Sequence, residues 1–309
     1  MYEQMAISSY RKGYTVNFCE LTNDLIENLS SNSFLIIDSN VNNFYPQFRK
    51  IFDKEKIFIV ESNEKNKSLP YCQKMIGRLV ERGMKRNHKL IAVGGGVVQD
   101  ITGFIASILY RGVDWVFLPT TLLAQADSCI GSKTSINIGS IKNLVGTFCP
   151  PSEIYCCSQF RNTLGKNDIK SGIGEIMHYY LIDNNEKMYE LMEQYEDLFK
   201  NRSKITSHIY ESLAIKKRMI VRDEFDENER KIFNYGHTFG HAIEALSQNK
   251  VSHGQAVTLG MDIANFIALT FGYIDQATYD KMHDLLVKNI PDYKIEEGHI
   301  DLYMKILSK

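Results

Sequence analysis

The segment Lys89-Leu-Ile-Ala-Val-Gly-Gly-Gly-Val-Val-Gln-Asp100 decides the fold of this chain. An apolar strand runs directly into Gly94–Gly96, and a helical pattern begins near Val98. Glycines at such a junction let the backbone approach a pyrophosphate, and the following helix adds the positive end of its dipole. The segment predicts a strand-turn-helix unit that could hold a dinucleotide, although three glycines alone are also common in ordinary turns. Asp100 either reaches a nicotinamide amide or caps the helix.

Apolar runs elsewhere in the first half of the chain extend this alternation of strands and helices. Strands are predicted at Phe34–Ile37, Ile57–Val60 and Trp115–Leu118, and a helix at Ser68–Gly83. Strands that alternate with helices are typical of a parallel sheet covered by helices. Residues 1–155 therefore predict an α/β domain.

Residues 122–146 differ from this pattern because they show little helical period. Asp127, Lys133, Lys142 and Asn143 lie there among serines, threonines and glycines. We expect a long polar loop. The two lysines suit a phosphate or another oxyanion, whereas a solvated surface loop explains the composition equally well.

The second half of the chain has the 3.6-residue periodicity of helices and no comparable strand-rich stretch. Pro150-Pro151 lies near the change and is a plausible domain boundary. Residues 156–309 therefore predict a helical domain. Its predicted helices are Gly172–Leu181, Glu186–Phe199, Ile205–Arg222, Ile232–Ser247, His253–Thr270 and Gln276–Lys288.

Candidate metal ligands lie in this helical half. His237 and His241 are four residues apart in Asn234–Glu244, so they share one helix face and favour a divalent metal, which needs a third ligand. Glu175 lies in an apolar helix, where an unpaired carboxylate is costly, and His253 stands at a helix start. Glu175, His237 and His253 would form a catalytic set with an open position, although each alone could be a core or capping residue.

Composition narrows the class of protein. The 309 residues are 44% apolar and 24% charged with a formal net charge of -1, which gives no reason to expect nucleic acid or a membrane surface as partner. The N-terminus lacks the basic and apolar regions of a leader, so we expect a cytoplasmic location. Six scattered cysteines are expected to be reduced rather than paired in disulfides.

Several motifs occur in order along nearly the whole chain and together resemble the 3-dehydroquinate synthase family of sugar-phosphate cyclases. They are Gly94–Asp100, Tyr110–Asp114, Leu118–Ser128, Gly131–Thr134, Lys142-Asn143, Gly174-Glu175, Asn234–His241 and His253-Gly254. The resemblance implies a Rossmann-like NAD-binding domain at 1–155, an all-α domain at 156–309 that binds substrate and zinc or cobalt, and a homodimer with active sites in the interdomain cleft.

The resemblance also implies roles for individual residues. Glu175, His237 and His253 become the metal ligands, and His241 a proton-transfer residue. Arg111, reaching a neighbouring subunit's site, would bind the substrate phosphate with Lys133 and Asn143. The catalytic residues implied are Asp127, Lys133, Asn143, Lys216, Arg230 and His241. We expect His178 to be a further catalytic residue, although it departs from the family pattern. The cofactor-binding residues implied are Asp38, Glu64, Lys67, Gly94, Gly95, Gly96, Asp100, Thr120, Thr121, Leu123, Asp127 and Lys142.

The chain departs from the family pattern in four places. His178 stands where the family has a lysine, and histidine is near half-titrated at neutral pH. We hypothesise that His178 approaches the metal or orders a bound water. Gln99 and Ser132 each replace a glycine. The chain stops at Lys309, about where the family continues into another substrate-binding lysine; Lys309 is a weak substitute because termini are poorly ordered.

The activity implied is conversion of the seven-carbon 3-deoxy keto acid phosphate (DAHP) to 3-dehydroquinate, with loss of phosphate and transient reduction of NAD. A sibling cyclase acting on another phosphorylated sugar, such as sedoheptulose 7-phosphate, is the closest alternative because of His178. A metal-dependent polyol dehydrogenase and a non-catalytic NAD-binding relative are further alternatives. Of these, only the dehydrogenase would accumulate NADH.

Overall fold

The computed structural model of the protein describes residues 4–139 and 141–308. Lys309, discussed above as a substitute for the family lysine, lies outside the described residues. The chain divides into two compact units. The N-terminal unit comprises Met1–Thr163 and Lys217–Phe225, and the C-terminal unit comprises Leu164–Lys216 and Asp226–Lys309.

The N-terminal unit is built on a seven-stranded sheet and a separate two-stranded hairpin. The sheet has the order β1-β2-β9-β6-β5-β3-β4 and is parallel except for the β1–β2 pair. Strands β7 and β8 form the antiparallel hairpin. The strands are β1 (Gln4–Ile7), β2 (Tyr14–Cys19), β3 (Ser33–Asp38), β4 (Ile57–Val60), β5 (Lys89–Gly94), β6 (Trp115–Pro119), β7 (Lys133–Ile138), β8 (Ile141–Phe148) and β9 (Glu153–Cys157).

Helices in this unit pack on the sheet, which explains its continuous apolar strands. Every residue of β3 and β6 is buried, as expected where both faces of a parallel sheet are covered. A core cluster includes Leu35, Ile91, Val116 and Phe160. The helices are α1 (Asn23–Ser30), α2 (Ser39–Phe44), α3 (Gln47–Ile51), α4 (Leu69–Glu81) and α5 (Gly96–Ile108).

The C-terminal unit is helical. A local core of Ala242, Ile243, Val251, Ala256 and Tyr303 is buried within it. Helix α8 is divided between the two units at Lys216. The helices are α6 (Lys166–Ile182), α7 (Lys187–Leu198), α8 (Ile205–Arg222), α9 (His237–Leu246), α10 (His253–Thr270), α11 (Gln276–Leu286) and α12 (Ile300–Leu307). The α/β and all-α fold class expected from the sequence is confirmed.

The expectation of a long polar loop at residues 122–146 is wrong. A short π-helical turn at Ala124–Ser128 leads into β7, and β7 pairs with β8. The first six residues of β8 are exposed, so the strand lacks the alternation of buried and exposed side chains from which strands are recognised. Pro150-Pro151 connects β8 to β9, and β9 lies inside the sheet between β2 and β6.

The helix expected at Ile232–Ser247 begins later than the periodicity indicated. Glu229–Asn234 forms a 3₁₀ turn, and α9 starts at His237 after Gly236. Gly236 has φ of +76°, a left-handed conformation that favours glycine and separates the two segments. Within the described ranges, no helix combines the length and apolar composition needed to cross a membrane.

Candidate functional site

Glycines at a contact between two helices position two titratable side chains in the C-terminal unit. A Cβ on Gly174 would collide with the carbonyl of Gly254, and one on Gly254 would collide with the carbonyl of Ser171. These collisions show that α6 and α10 approach backbone to backbone. Because Gly174 precedes Glu175 and Gly254 follows His253, this approach brings the carboxylate to the imidazole.

Glu175, His237 and His253 converge on one point. Glu175 Oε1 lies 3.1 Å from His253 Nε2 and 3.6 Å from His237 Nε2. One ligand atom from each residue lies within 4.8 Å of the other two. Glu175 is 1% exposed, and its Oε1 has no well-aligned hydrogen-bond donor. A buried carboxylate oxygen facing two imidazole nitrogens is the arrangement that a divalent cation stabilises.

The outer nitrogens of both imidazoles face acceptors, which fixes their orientation. His253 Nδ1 lies 2.9 Å from Glu244 Oε2, and His237 Nδ1 lies 3.3 Å from the carbonyl oxygen of Tyr235. In a neutral ring, each Nδ1 can therefore donate its hydrogen outward, which leaves the Nε2 lone pair available to a metal ion. This donor set fits a zinc or cobalt ion bound by one carboxylate and two histidines.

The charges of this cluster reinforce one another. Burial raises the pKa of Glu175, but His237 and His253 lower it to well below its ordinary value. Burial lowers the pKa of His253, whereas Glu175 and Glu244 raise it well above its ordinary value. Two carboxylates thus surround a single imidazole, and the cluster attracts positive charge.

His241 and His178 flank the cluster. The rings of His237 and His241 are 5.5 Å apart between centroids, and burial together with His253 and His237 lowers the pKa of His241 to about 4. His178 is buried with Nδ1 3.8 Å from Glu175 Oε2, and its ring lies 4.8 Å from that of His237. Both lie close enough to interact with a molecule held at the cluster. Their catalytic roles stay predictions.

Glu244 was missed by the sequence analysis as a functional residue. It lies seven residues after His237 on α9, which places both on one helix face. The sequence of Asn234–Glu244 already indicates that His237 and Glu244 share a helix face. It does not indicate that the Glu244 carboxylate accepts the hydrogen bond of His253 Nδ1. A second possible metal group, His241, Glu244 and His253, shares the same side chains.

Glu244→Ala is expected to weaken zinc binding about 10- to 100-fold, because loss of a carboxylate that orients a ligating histidine has that typical effect. Glu244→Gln should lose less zinc affinity than Glu244→Ala, because the glutamine amide oxygen can still accept a hydrogen bond from His253 Nδ1. Competition with a chelator measures both affinities. The exposed Glu190→Gln on α7 is the control and should bind zinc as the wild type does. Equal affinity in Glu244→Ala and wild type would contradict the orienting role.

The glycine turn of the N-terminal unit has the form of a phosphate cradle. Gly95 is the N-cap of α5 and makes no side-chain cap bond, and a Cβ there would meet Thr121 at 2.9 Å. A Cβ on Gly94 would meet Val98 at 2.6 Å, whereas the space around Gly96 is open. Backbone N–H groups at the start of a thirteen-residue helix, with no side chain above Gly96, fit a pyrophosphate.

Asp100 does not cap this helix, because it lies within α5 rather than before it. Its carboxylate is 2.6 Å from Lys67 Nζ and accepts a hydrogen bond from the Ser135 backbone. Lys67 also donates to Asn143 Oδ1. The structure therefore joins three of the predicted site residues, Lys67, Asp100 and Asn143, in one network, and it contradicts the capping alternative for Asp100.

Other predicted cofactor residues lie near this edge of the sheet. Asp38 ends β3 and accepts from the backbone of Asn40 and Val41, so it caps α2. Glu64 accepts from Asn137, beside the network. Thr120, Thr121, Leu123 and Asp127 follow β6, and Thr120 N donates to the Gly94 carbonyl. Their contacts with a cofactor stay predictions.

The predicted phosphate and substrate residues divide between the units. Lys133 opens β7 and Lys142 lies in β8, and both are exposed. Arg111 is exposed with φ of +65° in a 3₁₀ turn after α5. In the C-terminal unit, Lys216 and Arg230 are 6% and 5% exposed. Their contacts with the substrate stay predictions.

The two residues that replace family glycines both form hydrogen bonds. Gln99 is paired with Ser128, and Ser132 is paired with Glu224. Gln99 Nε2 donates to the Ser128 carbonyl, and Ser128 Oγ donates to Gln99 Oε1 at 2.6 Å. Ser132 has φ of +65° and donates to Glu224 Oε1 at 3.2 Å. These bonds anchor the turn that precedes β7.

Comparisons with known proteins cover nearly the whole chain. Residues 57–171 match the family model "3-dehydroquinate synthase N-terminal", and residues 172–309 match "3-dehydroquinate synthase C-terminal". The 3-dehydroquinate synthase of Clostridium tetani is 38% identical over 280 residues, covering 89% of this chain and 75% of that protein. That of Dictyoglomus thermophilum is 40% identical over 273 residues, covering 86% of this chain and 76% of that protein.

Two solved structures are similar to the chain over nearly its whole length. A 2-deoxy-scyllo-inosose synthase, complexed with carbaglucose-6-phosphate, NAD⁺ and Co²⁺, aligns with a TM-score of 0.83 and 25% identity over 98% of this chain and 86% of its own. A 2-epi-5-epi-valiolone synthase from Streptomyces hygroscopicus, bound to NAD⁺ and Zn²⁺, aligns with a TM-score of 0.84 and 23% identity, covering 98% and 88%. At that identity the second shows the fold alone.

Proposed function

The chain belongs to the 3-dehydroquinate synthase family, and from that membership we propose that it converts the seven-carbon 3-deoxy keto acid phosphate to 3-dehydroquinate with loss of phosphate. One observation carries the proposal: Oε1 of Glu175 and the Nε2 atoms of His237 and His253 converge on one point. That site would hold Zn²⁺ or Co²⁺, and the turn at Gly94–Gly96 would hold NAD.

The ligand triad would orient a hydroxyl of the substrate. A bound divalent ion supplies Lewis acidity that lowers the pKa of a coordinated alcohol. Glu175 contributes the negative charge of the set, and Glu244 holds His253 in the orientation that directs Nε2 inward. His241, one helical turn after His237, would accept or return a proton at its ring nitrogen during the reaction.

The N-terminal unit would hold the redox cofactor and the phosphate. NAD supplies a hydride acceptor that regenerates each turnover when the hydride returns. Lys67 and Asp100 position Asn143, which we propose binds the substrate phosphate with Lys133 and with Arg111 of a neighbouring subunit. Cations around a phosphate orient it and stabilise the charge that develops as it departs. In the C-terminal unit, Arg230 and Lys216 would bind the substrate carboxylate and hydroxyls.

The remaining proposals concern organisation. We assign NAD binding to residues 1–155 and metal and substrate binding to 156–309, and we propose a cytoplasmic homodimer, supported by the likeness to the cyclase family. Light scattering of the purified protein measures its mass in solution. A mass of a single 35.5 kDa chain would contradict the dimer.

The direct test is release of inorganic phosphate from three substrates: the seven-carbon keto acid phosphate, sedoheptulose 7-phosphate and glucose 6-phosphate. With NAD and zinc present, we expect release from the first and no accumulation of NADH. No release from the first substrate would contradict the proposed activity. Net production of NADH would instead indicate a dehydrogenase, and cofactor binding without any turnover a non-catalytic relative.

A sibling cyclase that acts on another phosphorylated sugar is the second candidate. His178 favours it, because a buried imidazole 3.8 Å from Glu175 stands where the family has lysine. Lysine and histidine differ in charge and reach, so the exchange changes what the pocket can hold. Phosphate release from sedoheptulose 7-phosphate or glucose 6-phosphate in preference to the keto acid would support this candidate.

A further inference from the structure

A cavity of about 360 Å³ lies at the amino-terminal edge of the parallel sheet. The loops that precede β2, β5, β6 and β9 line it, and none of the predicted site residues is among its lining. Parallel strands end at the opposite edge, where β5 runs into the glycine turn. The cavity is therefore distinct from the proposed dinucleotide site. Its lining residues include Arg11, Lys12, Arg86, His88, Lys89 and Asp114.

Positive charge is concentrated around this cavity. Four of its side chains are cationic, and Asp114 is its one acidic lining residue. Among the residues that the structure describes, none of the four cations takes part in an ion pair: Arg11, Lys12, Arg86 and Lys89. The whole chain carries a formal net charge of -1, so this concentration is local. Four cations and a single carboxylate around one cavity favour binding of an anion.

The wall of the cavity is held rigidly. Trp115 Nε1 donates to the Cys149 carbonyl at 3.2 Å, and Ser152 N donates to the Trp115 carbonyl at 2.7 Å. Val113, Cys149 and Pro151 are buried. These bonds hold together the connections that precede β6 and β9, at the base of the cavity.

His88 adds a neutral donor to this lining. Its Nδ1 accepts a hydrogen bond from Lys85 N at 2.9 Å, so a neutral ring carries its hydrogen on Nε2. The ring packs against Phe34 with centroids 5.4 Å apart. Burial, Lys56 and Lys85 lower the pKa of His88, which keeps the ring neutral at neutral pH. The Nε2–H of His88 therefore adds a neutral hydrogen-bond donor to the cationic lining.

We propose that this cavity binds a small molecule bearing a phosphoryl or pyrophosphoryl group, at a site separate from the proposed NAD and substrate sites. Guanidinium groups bind phosphate oxygens in pairs, and lysines add point charge. The volume is large enough for a phosphorylated metabolite, since ligand pockets commonly measure roughly 300–1,000 Å³. The absence of a net positive charge on the chain and the small volume of the cavity favour a small ligand over nucleic acid.

Calorimetric titration of the full chain with inorganic pyrophosphate tests the proposal. Saturating NAD is added so that the glycine turn does not contribute, and ionic strength is matched with sodium chloride. We expect one equivalent to bind in the cavity, in addition to binding at the proposed substrate phosphate site. Lys12→Gln/Lys89→Gln should weaken the affinity at least about tenfold, and Arg86→Gln alone should weaken it less, because each removes a phosphate contact. Lys50→Gln/Lys74→Gln, at two exposed lysines outside the cavity, removes the same charge and should bind as the wild type does.

Intrinsic fluorescence places the bound anion. Trp115 is the chain's single tryptophan, and its ring donates a hydrogen bond to the carbonyl of Cys149 in the cavity wall. Its emission should therefore change during the titration, with the same midpoint as the heat of binding measured by calorimetry. Absence of binding in the wild type would overturn the proposal. Equal affinities in the cavity variants and the Lys50/Lys74 control would also overturn it, because the anion would then be bound elsewhere.

Discussion

Glu175→Gln is expected to weaken zinc binding by on the order of 10³-fold or more, about 4 kcal/mol, and to abolish turnover. Glutamine has nearly the shape of glutamate, so the packing between α6 and α10 is retained. It lacks the negative charge that faces His237 and His253 Nε2, and its amide hydrogens face those nitrogens in one of its two orientations. Zinc affinity is measured by competition with a chelator, and the fold by circular dichroism.

Glu211→Gln provides the matched control. Glu211 is a partly buried carboxylate of α8 whose partner is Lys187 at 3.0 Å. The substitution makes the same chemical change in the same unit, and we expect wild-type zinc affinity and turnover. If Glu175→Gln retained full zinc affinity, Glu175 would not be a ligand and the proposed triad would be wrong.

Gly254→Ala is expected to destabilise the C-terminal unit by about 3 kcal/mol or more, near the upper end of the usual cost of overpacking. The added Cβ would collide with the Ser171 carbonyl, a backbone atom that no rotamer change can move away. Relief requires α10 to shift from α6, which carries His253 away from Glu175. Zinc affinity should therefore fall together with thermal stability. Differential scanning calorimetry with and without zinc measures both effects.

Gly77→Ala is the control for this substitution. Gly77 lies on the exposed side of α4, where an added Cβ meets nothing within 4 Å. Because alanine is a better helix former than glycine, this variant should be more stable by about 1 kcal/mol. A Gly254→Ala protein as stable as the wild type would contradict the close approach of α6 and α10.

The periodicity of apolar residues predicted those helices and strands in which buried and exposed side chains follow the period of the element. Ile57–Val60, Ile205–Arg222 and His253–Thr270 match β4, α8 and α10 at both ends. The hairpin was missed because the first six residues of β8 are all exposed, so partner pairing rather than alternation defines it. Burial of β9 inside the sheet likewise depends on strand order, which short-range pattern does not encode.

The site shows the same division between local and tertiary information. The spacing of His237 and His241 predicts that they share a helix face, but it does not tell which of them faces Glu175. That choice depends on how α9 packs on α10, where a Cβ on Gly260 would collide with the Gly236 carbonyl, and this contact is visible only in three dimensions. The pairing of Asp100 with Lys67 is also tertiary, since the two lie 33 residues apart in sequence.

The most direct test of the proposed metal site is anomalous scattering at the zinc edge from crystals of the wild-type protein grown with zinc. We predict one peak bonded to Glu175 Oε1 and to the Nε2 atoms of His237 and His253, about 2.0–2.2 Å from each. A peak at His241, Glu244 and His253 instead, or no peak near Glu175, would contradict the account.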